Sequence, residues 1–256
     1  MTDLSVLSAK PNRDQSLLKL IAILTMAIDH TGVIFFPGTL WLRLIGRIAF
    51  PLFCWGIVIG SEKTRNWKRY ALRLIILAFI SQPFYMLALN HTLTQFSVMA
   101  TLFLGFMAIQ GMRLKWHCSH IWAPLVSLLI AASFTMDYGW RGVLLIILMY
   151  LAKDSRGGLS ALMVSFCLYW GAGGTAIPRP VVSWLTSTPL NTINQGLNEL
   201  LGLFKLQSLA ILALPLMLLQ SNSGIRIPKW ASYLAYPGHL CLLWLLKSLL
   251  TSLNLI

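Results

Sequence analysis

Two ionisable residues, Asp29 and His30, stand side by side inside an apolar run that begins at Leu17. A charged or polar group at the centre of a bilayer costs roughly 3 kcal/mol on insertion scales, so it is expected to have a partner or a task. Lys19 precedes His30 by three helical turns, and the two side chains therefore share one helix face about 16 Å apart. Such residues indicate a substrate, proton or ion pathway.

Asp29 needs a partner from another helix, because adjacent residues on one helix do not face each other. The following apolar run carries Arg43 and Arg47 four residues apart, which puts both on one face. We predict an ion pair between Asp29 and one of these arginines. Gly46 would allow the two helices to approach closely, and Pro51 would kink the second helix further along.

More polar side chains lie in the third apolar run and in the last one. Their convergence favours a functional site, although a structural ion pair with a hydrogen-bonded histidine is the alternative. We predict that His30 and Asp29 are catalytic. The predicted substrate-binding residues are Lys19, Arg43, Arg47, Arg73, Gln82, Tyr85 and His239.

The apolar runs recur along the whole chain of 256 residues, of which 57% are hydrophobic and 11% charged. Soluble proteins have about 25% charged residues, so this composition argues against a soluble globular protein. It predicts an all-α polytopic membrane bundle with a single domain, residues 1–256. We expect about nine transmembrane helices, within a range of roughly eight to ten. They lie near residues 17–36, 40–60, 70–90, 93–110, 121–136, 141–152, 159–173, 205–220 and 234–253.

The net charge of +13 reflects basic residues in short loops. Lysine and arginine concentrate in four alternate connections, and the positive-inside rule predicts that these and the N-terminus are cytoplasmic and the C-terminus is outside. Basic loops in this position meet anionic membrane lipids, so no nucleic-acid partner is expected. The long connection 174–204 is predicted to lie outside. The four basic loops are 61–69, 111–120, 152–158 and 221–233.

No metal site is predicted, because the four cysteines are far apart and show no ligand spacing with histidine. The sequence also contains no serine-hydrolase elbow, no phosphate-binding glycine loop and no HExxH pattern. The first apolar run has no small-residue cleavage site after it and is expected to remain as a membrane anchor.

Four stretches resemble, in order, the motifs of the TraX family of conjugative plasmids: LKLIAILTMAIDHTG, GRIAFPLF, RLIILAFISQPFY and YPGHLCLLWLL. The match is looser from about 95 to 230, apart from Tyr138–Gly139. The best-known member of that family acetylates the N-terminus of F-type pilin. The resemblance implies a transmembrane acyltransferase domain in the bacterial inner membrane that transfers acetyl groups from acetyl-CoA to a pilin subunit.

The spacing of Lys19 and His30 also resembles the first helix of the wider membrane acyltransferases, which include the acyltransferase-three proteins and heparan-alpha-glucosaminide N-acetyltransferase. In these relatives an intramembrane histidine is regarded as catalytic and acetyl-CoA is used from the cytoplasm. The resemblance implies that His30 is a base or an acyl carrier, while Lys at 19 replaces the arginine that the relatives often have. A basic rim could bind the phosphates of coenzyme A: Lys63, Arg65, Lys68, Arg69 and Arg73.

Three alternatives remain open on the sequence. The same chemistry could act on a hydroxyl group of a lipid or glycan. A proton-coupled transporter would also contain intramembrane Asp, His and Arg, although it favours two related halves, which we do not find. A non-enzymatic assembly factor would leave the spacing of Lys19 and His30 unexplained.

Overall fold

The computed structural model describes residues 10–172, 206–225 and 227–254, and the predicted outer connection 174–204 lies wholly outside them. Nearly all regular structure in the described residues is helical, which confirms the all-α prediction. Short 3-10 turns occupy Trp116–Cys118 and Leu206–Ala213. The α-helices are α1 (Gln15–Phe35), α2 (Leu40–Gly46), α3 (Ala49–Lys63), α4 (Trp67–Leu89), α5 (Val98–Leu114), α6 (Ser119–Ser133), α7 (Gly139–Leu151), α8 (Arg156–Ala172), α9 (Leu214–Leu218) and α10 (Lys229–Ser252).

Each of the nine predicted runs contains helical structure, but the count of about nine spans is not confirmed. Four segments in the described residues are long and apolar enough to cross a bilayer: α1, α2 with α3, α4, and α10. Helices α5 and α7, with 17 and 13 residues, are shorter. At 1.5 Å per residue they reach about 26 and 20 Å, less than the roughly 30 Å of a hydrocarbon core.

The second apolar run is interrupted between α2 and α3, at Arg47 and Ile48. The N–H groups of these two residues donate to carbonyls three positions back, on Leu44 and Ile45, each at 3.2 Å. Pro51 has no N–H for the carbonyl of Arg47, four positions earlier, and its ring crowds that carbonyl. The break therefore falls one turn before Pro51, whereas we expected the kink further into the helix.

The basic loops meet at one end of the bundle. Arg13, in the N-terminal segment, pairs with Glu62 at 3.1 Å and with Asp154 at 3.3 Å, which joins that segment to the first and third basic loops. Arg113, in the second basic loop, donates to the backbone carbonyl of Ser61 in the first. The alternation of basic loops in the sequence is thus matched by their position in the fold.

Asp14 connects the fourth basic loop to the same end. Its carboxylate caps α1 by accepting from the N–H of Leu17 at 3.1 Å, and it accepts from the N–H of Ser223 at 2.9 Å. Burial raises the pKa of Asp14, but hydrogen bonds from Ser223, Leu17 and Ser221 outweigh this and hold the pKa below its ordinary value. We call residues 10–14 and the four basic loops the basic end. Its cytoplasmic location remains a prediction.

A small parallel sheet lies at the opposite end, where Gln95–Phe96 (β1) pairs with Thr135–Met136 (β2). The sequence did not predict it, because two-residue strands have no periodicity. Gln82 fixes this sheet from α4, donating to the carbonyl of Gln95 at 2.6 Å and accepting from the N–H of Ser97 at 3.0 Å. The sheet provides hydrogen bonds for backbone N–H and C=O groups where the chain leaves the helices. Asp137 follows β2 directly.

Candidate active site

A cavity of about 470 Å³ lies toward the end opposite the basic end, and we call it the histidine cavity. It is lined by α1, α2, α3, α8 and α10, by the 3-10 turn Leu206–Ala213 and by the segments around β1 and β2. Phe50, Trp170 and Tyr236 contribute aromatic walls. Its charged and hydrogen-bonding side chains come from both halves of the chain: Asp29, His30, Arg43, Arg47, His91, Asp137, Tyr138 and Gln207.

Asp29 forms the predicted ion pair, and it does so with both arginines. Its Oδ1 lies 3.3 Å from Nε of Arg43 and 3.1 Å from Nη2 of Arg47. The Arg47 side chain is 10% exposed and that of Arg43 is 34% exposed, so Arg47 is the more buried partner. Arg47 also donates from Nη1 to Oε1 of Gln207 at 2.9 Å. Together with Asp29, this contact offsets part of the free energy that is needed to remove the guanidinium from water.

His30 and His239 form a hydrogen-bonded pair, with Nδ1 of His30 2.7 Å from Nε2 of His239. Nδ1 of His239 lies 2.8 Å from the carbonyl oxygen of Ala235, which can only accept. With both rings neutral, His239 therefore donates to Ala235 and His30 donates to His239. The tautomers fixed by this network leave Nε2 of His30 unprotonated, and this atom has no hydrogen-bond partner among the described residues.

Aromatic rings close one side of the histidine cavity. Phe50 and Tyr138 stack with centroids 3.6 Å apart, and Trp170 meets both rings edge-on. Tyr138 has φ of +63°, a left-handed conformation that is uncommon for a bulky residue. Such backbone strain occurs at functional sites where the surroundings hold it in place.

A second cavity, of about 580 Å³, opens at the basic end, and we call it the basic cavity. Lys19 lines it together with three members of the predicted basic rim, Lys63, Arg65 and Arg73. Lys68 and Arg69 are not among its lining residues. Phe53 of α3 lines both cavities, so its side chain stands where the two adjoin.

The structure brings most of the predicted site residues to these two cavities. The residues that line neither cavity are Gln82, Tyr85 and His239. The amide of Gln82 is used by β1, Tyr85 is 2% exposed with its hydroxyl near Asp137, and His239 is joined to the histidine cavity by its hydrogen bond to His30. Asp29 contacts arginines and makes no hydrogen bond to His30 among the described residues. A direct contact by which Asp29 would stabilise His30 is therefore absent from that part of the chain.

Sequence reasoning missed Asp137 and Gln207 and gave His91 little weight, because it placed His91 in a plain loop. All three line the histidine cavity. A signal was present for Asp137: the chain has only seven acidic residues, and this one falls in a connection that otherwise carries little charge. No comparable signal marks Gln207, whose role depends on a contact with Arg47 160 positions away.

The fold and the site define a helical membrane protein with a cluster of ionisable side chains between its apolar helices. The family described as TraX protein matches residues 14–247, and the chain belongs to this family. It is 29% identical over 246 residues to the probable fimbrial assembly protein FimC, serogroup H1, of Dichelobacter nodosus, covering 88% of this chain and 92% of that protein.

A second relative is an uncharacterised protein of Rickettsia prowazekii (strain Madrid E). It is 25% identical over 162 residues, which cover 57% of this chain and 58% of that protein. No solved structure matches the chain.

Proposed function

We propose that this protein is a multi-pass enzyme of the bacterial inner membrane that transfers an acetyl group from acetyl-CoA to the N-terminal amine of a pilin subunit. The observation that carries the proposal is the pair of cavities that adjoin at Phe53. One offers positive charge at the basic end, and the other offers an imidazole with a free nitrogen. This arrangement suits a donor with anionic phosphates and an acceptor that must lose a proton.

The basic cavity is the proposed site of acetyl-CoA. Lys63, Arg65 and Arg73 would bind its phosphates through charge-assisted hydrogen bonds, with Lys19 deeper along α1. Lys19 and His30 are about 16 Å apart along the helix, a distance that the pantetheine arm has about the length to cover. The thioester would then reach the histidine cavity beside Phe53.

His30 is the proposed general base. Its Nε2 takes a proton from the acceptor ammonium, and His239 stabilises the resulting imidazolium by accepting from Nδ1. The amine nitrogen attacks the thioester carbon, the carbon–sulfur bond breaks, and coenzyme A leaves as a thiolate that takes the proton held by His30, which returns the imidazole to its neutral form. A second proton passes from the nitrogen to solvent. An ammonium and an acetyl thioester thus yield an acetamide, a thiol and one proton.

Membership in the TraX family and the name of the Dichelobacter relative support a pilin as the acceptor. Membrane lipids would surround the apolar helices and meet the basic loops. Asp29 acts in this scheme through its arginines, which fix α1 against α2 and set the field around His30. We assign it a positioning role.

The test is transfer from acetyl-CoA labelled in its acetyl group, using the purified full-length protein in lipid nanodiscs and the pilin of the same host. We expect label on the pilin N-terminus, identified by mass spectrometry, and a loss of about 100-fold or more in His30→Ala. His120→Ala is the matched control, because His120 is an exposed histidine at the basic end and should keep full activity.

Label on a lipid or glycan hydroxyl, with none on pilin, would replace the proposed acceptor with the alternative one. If wild-type protein transfers no label to any acceptor, and pilin from cells lacking the protein has an unchanged N-terminus, the proposed acetyltransferase function is wrong. A transporter or a non-enzymatic assembly factor would then remain.

A further inference from the structure

The histidine cavity contains two carboxylates in opposite surroundings. Asp29 is held by two guanidinium groups. Asp137 also lines the cavity, yet in the described part of the chain it forms no ion pair with a lysine, arginine or histidine, and His91 and Arg47 act on it only from beyond ion-pair distance. A carboxylate that is largely removed from water and has no cationic partner is costly, so a cationic ligand would be bound favourably there.

Asp137 is held in place by two backbone hydrogen bonds that do not involve a cation. Its N–H donates to the carbonyl of Phe96 at 2.9 Å, one step beyond the β1–β2 pair. Its carbonyl accepts from Oγ1 of Thr101 at 2.5 Å. The hydroxyl of Tyr85, a buried residue of α4, lies near its carboxylate. The backbone of Asp137 is therefore fixed before any ligand arrives, with the Tyr85 hydroxyl beside its side chain.

His91 adds a second acceptor to the same wall. Its Nδ1 lies 2.8 Å from Oε1 of Gln95, an amide oxygen that can only accept, so the neutral ring presents Nε2 as an acceptor. Its ring stacks on Tyr85 with centroids 4.6 Å apart. With Nε2 of His30, the cavity contains acceptors on several sides and, among the described residues, one carboxylate without an ion-pair partner.

We propose that Asp137, positioned by Tyr85, binds the protonated amine of the acceptor before transfer. An ammonium group has three donors and a full positive charge, which match these acceptors, whereas a hydroxyl has one donor and no charge. The inference rests on the proposed function and makes it more specific, since it gives the cavity a preference for amines. His30 takes the proton from the nitrogen that Asp137 holds.

Asp137 could alternatively serve as a distant counter-charge for Arg47 in the same cavity. That role would affect the folded state and the rate for every acceptor equally. Binding of an ammonium instead predicts an effect that depends on the charge of the ligand. The two roles are therefore separated by comparing ligands of the same shape and different charge.

The experiment measures acceptor KM and kcat for Asp137→Asn in nanodiscs, with a pilin N-terminal peptide as acceptor. In parallel it measures the binding of two unreactive peptides, one with an N-terminal trimethylammonium and one with an uncharged N-terminal tert-butyl group. We expect Asp137→Asn to raise KM for the amine about 10- to 100-fold, as hydrogen bonds between charged groups imply, with kcat and the KM for acetyl-CoA little changed. Binding of the trimethylammonium peptide should weaken, and binding of the uncharged peptide should not.

Asp154→Asn is the control, because Asp154 is an exposed carboxylate at the basic end and should alter none of these values. Tyr85→Phe keeps the ring and the Asp137 charge but removes the hydroxyl, and should raise the amine KM by a smaller factor, about 3- to 10-fold. It keeps the test available if Asp137→Asn does not fold.

The inference would be overturned if Asp137→Asn left the amine KM unchanged and lowered kcat. It would also be overturned if the variant weakened binding of the charged and uncharged peptides equally. The binding measurements need no transfer, so they separate it from the proposed function. If binding depends on charge and on Asp137 but no label is transferred, only the proposed acetyltransferase function is contradicted. If transfer occurs and is unchanged in Asp137→Asn, only the proposed ammonium site is contradicted.

Discussion

Gly46 lies against Asp29 with no room for a methyl group between them. A Cβ atom placed on Gly46 would come 2.2 Å from Cβ of Asp29 and 2.3 Å from its Oδ1. The absence of a side chain is what lets α2 approach α1 closely enough for Arg43 and Arg47 to reach one carboxylate oxygen. This confirms the role predicted for Gly46 and makes the ion pair dependent on it.

Gly46→Ala should therefore separate α1 from α2 and weaken the Asp29 contacts. We expect it to lower the stability by about 1–3 kcal/mol, as overpacking does, and to reduce transfer activity. Thermal unfolding in detergent measures the first effect. Gly238→Ala in α10 is the matched control, because a Cβ there meets nothing within 4 Å and Gly238 lines neither cavity. If both variants unfold at the wild-type temperature, the close approach of α1 and α2 at Gly46 does not contribute to stability.

Asp29 should be coupled more strongly to Arg47 than to Arg43, because Arg47 is the more buried partner. Asp29→Asn leaves two arginines without a counter-charge, and breaking a buried pair from one side costs about 3–5 kcal/mol. A double-mutant cycle with Arg47→Gln should give a coupling energy of about 1–3 kcal/mol, and one with Arg43→Gln a smaller value.

The charge exchange Asp29→Arg with Arg47→Asp should recover part of the stability lost in either single variant. It should not restore activity, because the field around His30 would be reversed. Coupling that is absent for both arginines would show that the ion pairs do not stabilise the protein.

His239→Ala should lower the rate of transfer about 10- to 100-fold by removing the acceptor for Nδ1 of His30. His239→Gln should recover part of the rate, since its amide oxygen can accept from the same atom. Adding His239→Ala to His30→Ala should cause no further loss, as expected for residues that act as one unit. Losses that multiply in the double variant would mean that the two histidines act separately.

The orientation of the protein can be read from cysteine labelling, because Cys118 is exposed at the basic end. If that end is cytoplasmic, a membrane-impermeant maleimide should label Cys118 only after cells are permeabilised. Thr92→Cys, in the connection after α4, should be labelled in intact cells when Cys118 and Cys241 are replaced by Ser. A reporter fused after residue 65 should read cytoplasmic, and one at the C-terminus should read periplasmic. The opposite pattern would reverse the predicted topology.

The sequence was informative at positions where a charged or polar side chain within an apolar run raises the free energy of the folded protein unless it has a partner. Asp29, His30 and Arg47 could be identified because charged and polar groups in long apolar runs need partners, and the structure places them in one cavity. The alternation of basic loops could likewise be read, since loop charge is independent of how the helices pack.

The sequence was uninformative where function depends on contacts between distant short segments. Asp137 and His91 lie in connections, where polar residues are ordinary, and only the β1–β2 pair brings them to the histidine cavity. Gln82 looked like a substrate ligand because it lies in an apolar helix, but its amide serves the backbone of β1. The number of spans was equally hard to read, because short helices such as α7 have apolar composition without spanning length.

The shared position of Phe53 between the two cavities bears on the permeability barrier of the membrane. A continuous water-filled passage between the basic cavity and the histidine cavity would let ions leak and would dissipate the electrochemical gradient that the cell maintains. A phenyl ring at the junction resists wetting and so opposes the passage of hydrated ions, whereas on the proposed function an apolar thioester arm would move past it. On the proposed function, the chain would thus pass an acyl group from one side of the bilayer toward the other without becoming a pore.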